Sequence, residues 1–260
     1  MSLLLAHVYK SPLHGGHSLV SPRTRMSRPL VKAICFLFLA FTSAAIGATV
    51  AGPPPPTGTI PFTYQGQTYS TWYTYEGEWG SDRPLIVLHG GPGFSHDYMI
   101  ALADLSPARP VIFYDQIGIA RSSHLTDKPQ SFFTIDLFLS ELKNVIAFFN
   151  LEDYDILGHS WGGVLAAEYA VLQPAGLQKL VLSDSLTSMR LWLQSELSLL
   201  STFSQDVQQG MLNGFSNPPE YRVALGEFFG EYGCDLRPWP IPLNVSIDYL
   251  FADPTVSINM

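Results

Sequence analysis

The chain predicts an α/β fold: a mostly parallel sheet with helices on both faces, followed by a partial helical lid. Three observations carry this. Short apolar runs alternate with helical patterns between residues 85 and 182, the order that builds a parallel sheet. Glycine-rich segments follow three of those runs directly, where loops leave the carboxyl edge of such a sheet. From Ser185 onward helical patterns follow one another without strands between them.

Taken in order, Thr59–Tyr64 and Gln67–Tyr75 are strand-like, and the turn Gln65-Gly66 joins them as a hairpin. Leu85–Leu88 is a continuous apolar run, as a strand buried on both faces requires. Tyr98–Leu105 reads as a short helix and Val111–Tyr114 as another buried strand. Ile135, Phe138, Leu139, Leu142, Val145, Ile146 and Phe149 recur at helical spacing and predict an amphipathic helix. Strand Tyr154–Leu157, helix Trp161–Leu172 and strand Leu180–Leu182 complete the series, so the core is placed at 59–184. Residues 188–213 and 219–230 read as helices of a lid, 185–260, and Pro238, Pro240 and Pro242 as breakers of its remaining stretch.

Residues 1–51 contain five basic residues and no acidic one, with an apolar run from Ala33 to Phe41 and small residues beyond it. That pattern predicts a secretory signal peptide with an upstream extension, Met26 being a start that would give it ordinary length. The run is too short to span a membrane, so secretion without a stable membrane anchor is expected. A Pro-rich linker, 52–58, leads into the core. Beyond residue 51 nine Lys and Arg face twenty-two Asp and Glu, a net charge of −13, which argues against a nucleic-acid partner. Cys35 lies in the apolar run, leaving Cys234 alone and no intrachain disulfide downstream. Asn244-Val245-Ser246 is a glycosylation acceptor for a secreted chain.

The chemistry gathers in three segments: His89-Gly90-Gly91-Pro92-Gly93, Asp115–Ser122, and Gly158-His159-Ser160-Trp161-Gly162-Gly163. The last lies between a strand and a helix, and small residues two positions either side of Ser160 let such a turn close. A hydroxyl raised there can attack an acyl carbon once a base takes its proton. Residues 90–93 lack the spacing of a dinucleotide loop and the lysine of a phosphate loop, and no metal-ligand cluster stands out.

Together the three segments closely resemble the proline iminopeptidase (prolyl aminopeptidase) family of α/β-hydrolases, strongly over roughly residues 58–190 and more weakly into the lid, where Asp253-Pro254-Thr255-Val256 is similar. The resemblance implies an α/β-hydrolase fold, no cofactor, and release of an N-terminal proline or another small residue from a peptide or amide with a free amine. It implies Ser160 as nucleophile and the backbone N–H groups of Gly91 and Trp161 as oxyanion donors. It also implies a loop of His89, Gly90, Pro92 and Gly93, which His89 orients through hydrogen bonds. Glu196, Glu220, Glu227 and Glu231 lie in the region that would hold the amine, with no choice among them. A glycine is usual where Ala120 stands; if φ is positive there, alanine costs about 1 kcal/mol.

The family's acid and histidine follow the nucleophile along the chain, yet no histidine follows His159. The expectation is a C-terminally truncated chain that lacks its last core strands, leaves Leu180–Leu182 as a bare sheet edge and is inactive or impaired. Asp184 is expected to be a strand-end or capping residue, and neither His96 nor His124 to serve as base. The alternatives are an esterase or amidase acting on small molecules, or a non-catalytic fragment or pseudoenzyme.

Overall fold

The structure, a computed structural model, describes residues 7–10 and 53–260. The apolar run at 33–41 and Cys35 lie outside the described residues. Seven strands form one sheet: β1 (His7–Lys10), β2 (Thr57–Tyr64), β3 (Gln67–Glu76), β4 (Leu85–Leu88), β5 (Val111–Tyr114), β6 (Tyr154–His159) and β7 (Leu177–Ser183). Their order is β1-β7-β6-β4-β5-β3-β2. The four central strands run parallel, and β1 and the β2–β3 hairpin flank them antiparallel. The β7 edge, expected to be bare, therefore pairs with β1, from His7 opposite Leu182 to Lys10 opposite Lys179.

β4 and β5 are buried at every position, which explains why they read as unbroken apolar runs. One face packs Ile86, Leu88, Ile112 and Ile156 under α1 (Ile135–Phe148) and α2 (Trp161–Val171). The other packs Leu85, Val87, Val111 and Phe113 under Met99 of a 3₁₀ stretch, His96–Leu105. Thr134 starts α1 by accepting from the Leu137 N–H, a cap of about 1 kcal/mol. The Pro tract is no free spacer: Tyr75 Oη donates to Pro54 O (2.8 Å) and Tyr73 Oη to Pro55 O (3.1 Å).

After β7 come α3 (Met189–Leu200), α4 (Gln205–Asn213), α5 (Pro218–Tyr232), α6 (Ile241–Ala252) and α7 (Thr255–Asn259). Two expectations need correction. The single helix at 188–213 is broken, because Ser204 caps a new one by accepting from Val207 N. Of the prolines that read as breakers, Pro240 and Pro242 instead begin α6, as its N-cap and in its first turn, where no intrahelical N–H is required. Among the described residues no helix is long and apolar enough to cross a membrane.

The chain leaves β4 for β5 on one side, while β6 lies on the other. The carboxyl ends of β4 and β6 thus border the switch point of the sheet, the crevice where open α/β sheets bind ligands. The loops after both strands are two of the sequence motifs.

Candidate active site

Ser160 joins β6 to α2 with φ 53° and ψ −121°. A non-glycine residue held there stores about 1–3 kcal/mol of strain, so the surroundings must enforce it. They do so at both ends: Ser160 N–H donates to Ser183 O (3.0 Å), and Ser185 Oγ donates to Ser160 O (3.0 Å). The glycines are a steric necessity. A Cβ on Gly158 would lie 2.3 Å from Gly162 O, and one on Gly162 would lie 2.1 Å from Leu88 O. Ser160 is half-buried at the crest of the turn, and its Oγ makes no hydrogen bond among the described residues.

The loop after β4 is pressed against this turn. A Cβ on Gly90 would lie 3.0 Å from Ser160 Cβ. Gly91 takes φ 121°, and a Cβ there would meet Gly93 N at 2.4 Å. His89 is fully buried, and burial drives its pKa down to about 4, so the ring is neutral. Its Nε2 accepts from Gln116 N–H (3.0 Å), which places the hydrogen on Nδ1, facing Gly90 O (3.0 Å). Gln116 extends the tie: its Nε2 donates to His89 O (3.0 Å), and its Oε1 accepts from Trp161 Nε1 (2.9 Å). One amide side chain thereby couples all three motifs. The backbone N–H groups of Gly91 and Trp161 have no protein acceptor among the described residues.

The Asp115–Ser122 segment is a buried charge network. Asp115 accepts from the backbone N–H and Nδ1 of His96 (3.0 and 2.8 Å) and from Arg121 Nη1 (3.0 Å). Burial alone would raise the Asp115 pKa, but the bond and charge of His96 hold it at about 2. Arg121 grips Asp97 with both guanidinium nitrogens at 2.9 Å and stacks on Trp72. His96, Asp97 and Asp115 lie close together, and Arg121 pairs with both carboxylates while the His96 ring bonds Asp115. Ala120 has φ 47°, the left-handed conformation expected for the glycine it replaces. Beneath the segment, Glu141 on α1 accepts from Thr71 Oγ1 (2.5 Å) and Ile117 N–H (2.9 Å). Burial raises its pKa to about 8.

His159 and Asp184 stand beside the turn. His159 Nδ1 faces Tyr98 Oη (2.7 Å), and its Nε2 lies 3.9 Å from Asp184 Oδ2. Burial lowers the His159 pKa, opposed by the Asp184 charge. Asp184 takes φ 42° at the end of β7 and is exposed; it caps no helix. The His96 ring is committed to Asp115, and that of His124 to Asp253. Among the described residues no histidine is bonded to Ser160 Oγ.

The four candidate carboxylates occupy two helices. Glu196 is half-buried on α3, its pKa raised by that burial. Glu220, Glu227 and Glu231 share one face of α5. Glu220 accepts from Asn213, and Glu227 borders an open cavity of about 440 Å³ with Arg237, Trp239 and Asn244. Sequence reasoning missed Gln116 as a coupler, although it lies within the Asp115–Ser122 motif. It also missed Tyr98 and Glu141; only Glu141 left a signal, as a carboxylate at the margin of an apolar stripe.

Residues 83–219 match the family model described as alpha/beta hydrolase fold. The proline iminopeptidase of Heyndrickxia coagulans is 37% identical over 59% of this chain and 54% of its own length. That of Lactobacillus helveticus (strain DPC 4571) is 34% identical over 70% of this chain and 63% of its own. The chain thus spans little more than half to under two thirds of these curated relatives. Among solved structures, the proline iminopeptidase of Mycobacterium smegmatis superposes with a TM-score of 0.65 at 36% identity, covering 77% of this chain and 69% of that one. The structure of VinJ superposes at 0.71 and 38%, covering 79% and 70%.

Proposed function

We propose, from the premise that this chain belongs to the proline iminopeptidase family of α/β-hydrolases, that Ser160 is the nucleophile of an aminopeptidase. The substrate class is a small peptide or amide with a free N-terminal proline or other small residue. The observation that carries the reading is the strained turn at Ser160, whose hydroxyl is uncommitted and whose neighbours enforce its φ. Ser160 Oγ bonds to the carbonyl carbon, its proton passes to the nitrogen as the C–N bond breaks, and water then cleaves the ester and returns a proton to Ser160. The uncommitted N–H groups of Gly91 and Trp161 receive the developing oxyanion; such a donor is worth about 10²–10³ in rate. His89 acts by orienting the Gly91 loop, not by moving a proton, because its neutral ring is closed between Gln116 and Gly90.

A second reading concerns this chain alone. Each histidine ring at 89, 96, 124 and 159 is committed away from Ser160, so the described residues supply the nucleophile and its oxyanion donors without a base. Sites lacking one triad member retain roughly 10³–10⁴-fold catalysis over water. The described residues acting alone are accordingly expected to be impaired, close to non-catalytic. We further place the chain outside the cell, on the basic, acid-free residues 1–51.

The test of the substrate class needs no turnover. A fluorophosphonate modifies Ser160 slowly, and L-prolinamide is expected to slow it further, whereas N-acetyl-prolinamide does not. Equal protection by both compounds would contradict a site built for a free amine.

A further inference from the structure

We propose that Tyr98 is a positioning residue that latches the oxyanion loop to the nucleophile turn through His159; the inference rests on Ser160 as nucleophile and Gly91 as oxyanion donor. Gly90 N–H donates to Tyr98 Oη at 2.7 Å, and Tyr98 Oη lies 2.7 Å from His159 Nδ1. The donors can be assigned by counting. The phenol accepts from Gly90, and its single hydrogen is left for His159 Nδ1, which therefore accepts. A neutral His159 ring then carries its hydrogen on Nε2, on the side of the Asp184 carboxylate. The latch is short and enclosed: a Cβ on Gly90 would meet Tyr98 Oη, Ser160 Cβ and His159 Nδ1, all within 3.1 Å. Tyr98 is itself anchored from the lid side, since its N–H donates to Ser246 Oγ of α6 (3.1 Å), and Phe94 packs against its ring edge-on.

The geometry gives the latch a role beyond packing. Gly90 precedes the oxyanion donor Gly91, and His159 precedes the nucleophile. One hydroxyl thus fixes the separation of the two chain segments between which the reacting carbonyl oxygen must sit. It also explains the buried serine of the Asn244-Val245-Ser246 sequon, whose hydroxyl serves this anchor.

The test compares Tyr98→Phe, His159→Leu and His159→Gln with the parent chain by two readouts. The first is the rate of Ser160 modification by a fluorophosphonate, whose phosphoryl oxygen needs the same donors. Tyr98→Phe and His159→Leu are expected to slow it about tenfold, below the 10²–10³ of deleting a donor outright. His159→Gln, whose carbonyl oxygen can accept the phenol hydrogen, is expected to recover most of what His159→Leu loses. The second readout is the ¹⁵N signature of the His159 ring, expected as the Nε2–H tautomer in the parent and as a tautomer mixture in Tyr98→Phe. A Tyr98→Phe chain with unchanged tautomer overturns the latch, and so does an unchanged rate in all three variants. If the parent never modifies at Ser160, the nucleophile reading fails, and the tautomer signature alone decides the latch.

Discussion

The two halves of the molecule are held in different ways. Up to β7, the polar groups of the loops are bound to one another at short range: His89 to Gln116, Gln116 to Trp161, Asp115 to His96 and Arg121, Glu141 to Ile117. After β7 the helices touch that core at a few points. Ser246 bonds Ser95 and Tyr98, Val256 lies against Gly118, and Leu250 and Ser257 lie against Gly93. Meanwhile α3 leaves Met189, Leu191, Trp192, Leu193 and Leu197 exposed. Precision resides in the first half. Oriented amides and a strained serine need a bond network around them, whereas the helical half needs only enough anchors to lie over the loops.

The largest break in that contrast is expected from Gly162→Ala. Its methyl would press on Leu88 O from 2.1 Å, and overpacking against backbone should cost about 3 kcal/mol or more, read by chemical denaturation. Next is Glu141→Gln. A carboxyl whose pKa rises to about 8 on folding stabilises fully below its unfolded value and loses that contribution as pH climbs toward 8. Between pH 6.5 and 8 the parent should lose at most about 2 kcal/mol, and the Gln variant should show no such slope. Over that range His89, driven down to about 4 in the fold, is neutral when folded but half protonated at pH 6.5 when unfolded, and so offsets the loss by only about 0.4 kcal/mol.

Two smaller changes sharpen the comparison by exchanging the same residues in opposite directions. Ala120→Gly relieves a left-handed φ in the core loop and should stabilise by about 1 kcal/mol. Gly226→Ala adds a methyl on α5 with nothing within 4 Å, and should stabilise by about 0.5 kcal/mol through helix propensity. Thermal melting of the two variants checks both signs.

How much of this was legible in the sequence depended on how local its cause was. The Ser160 turn was readable because its glycines lie within four residues of it, and backbone sterics dictate them. The positive φ at Ala120 was readable from the glycine it displaces. Strands β4 and β5 were readable because burial on both faces leaves no polar position. Tyr98 was not, since its partner His159 lies 61 residues along the chain, and Glu141 left only its place beside an apolar stripe, its partner Thr71 being 70 residues away. No periodicity encodes such pairings. The start of α6 was misread because proline's effect depends on its position in the helix, and the first turn tolerates it. The partner of β7 was missed because β1 comes from the far end of the chain.

Ser160 is proposed to carry the reactive hydroxyl, and among the described residues no histidine is bonded to it. The most direct measurement is the rate and site of modification by a fluorophosphonate, followed by peptide mass mapping. One adduct is expected, confined to Ser160, forming slowly and absent from Ser160→Ala. Rapid stoichiometric modification would contradict the missing base, and an adduct at any other residue would contradict the nucleophile.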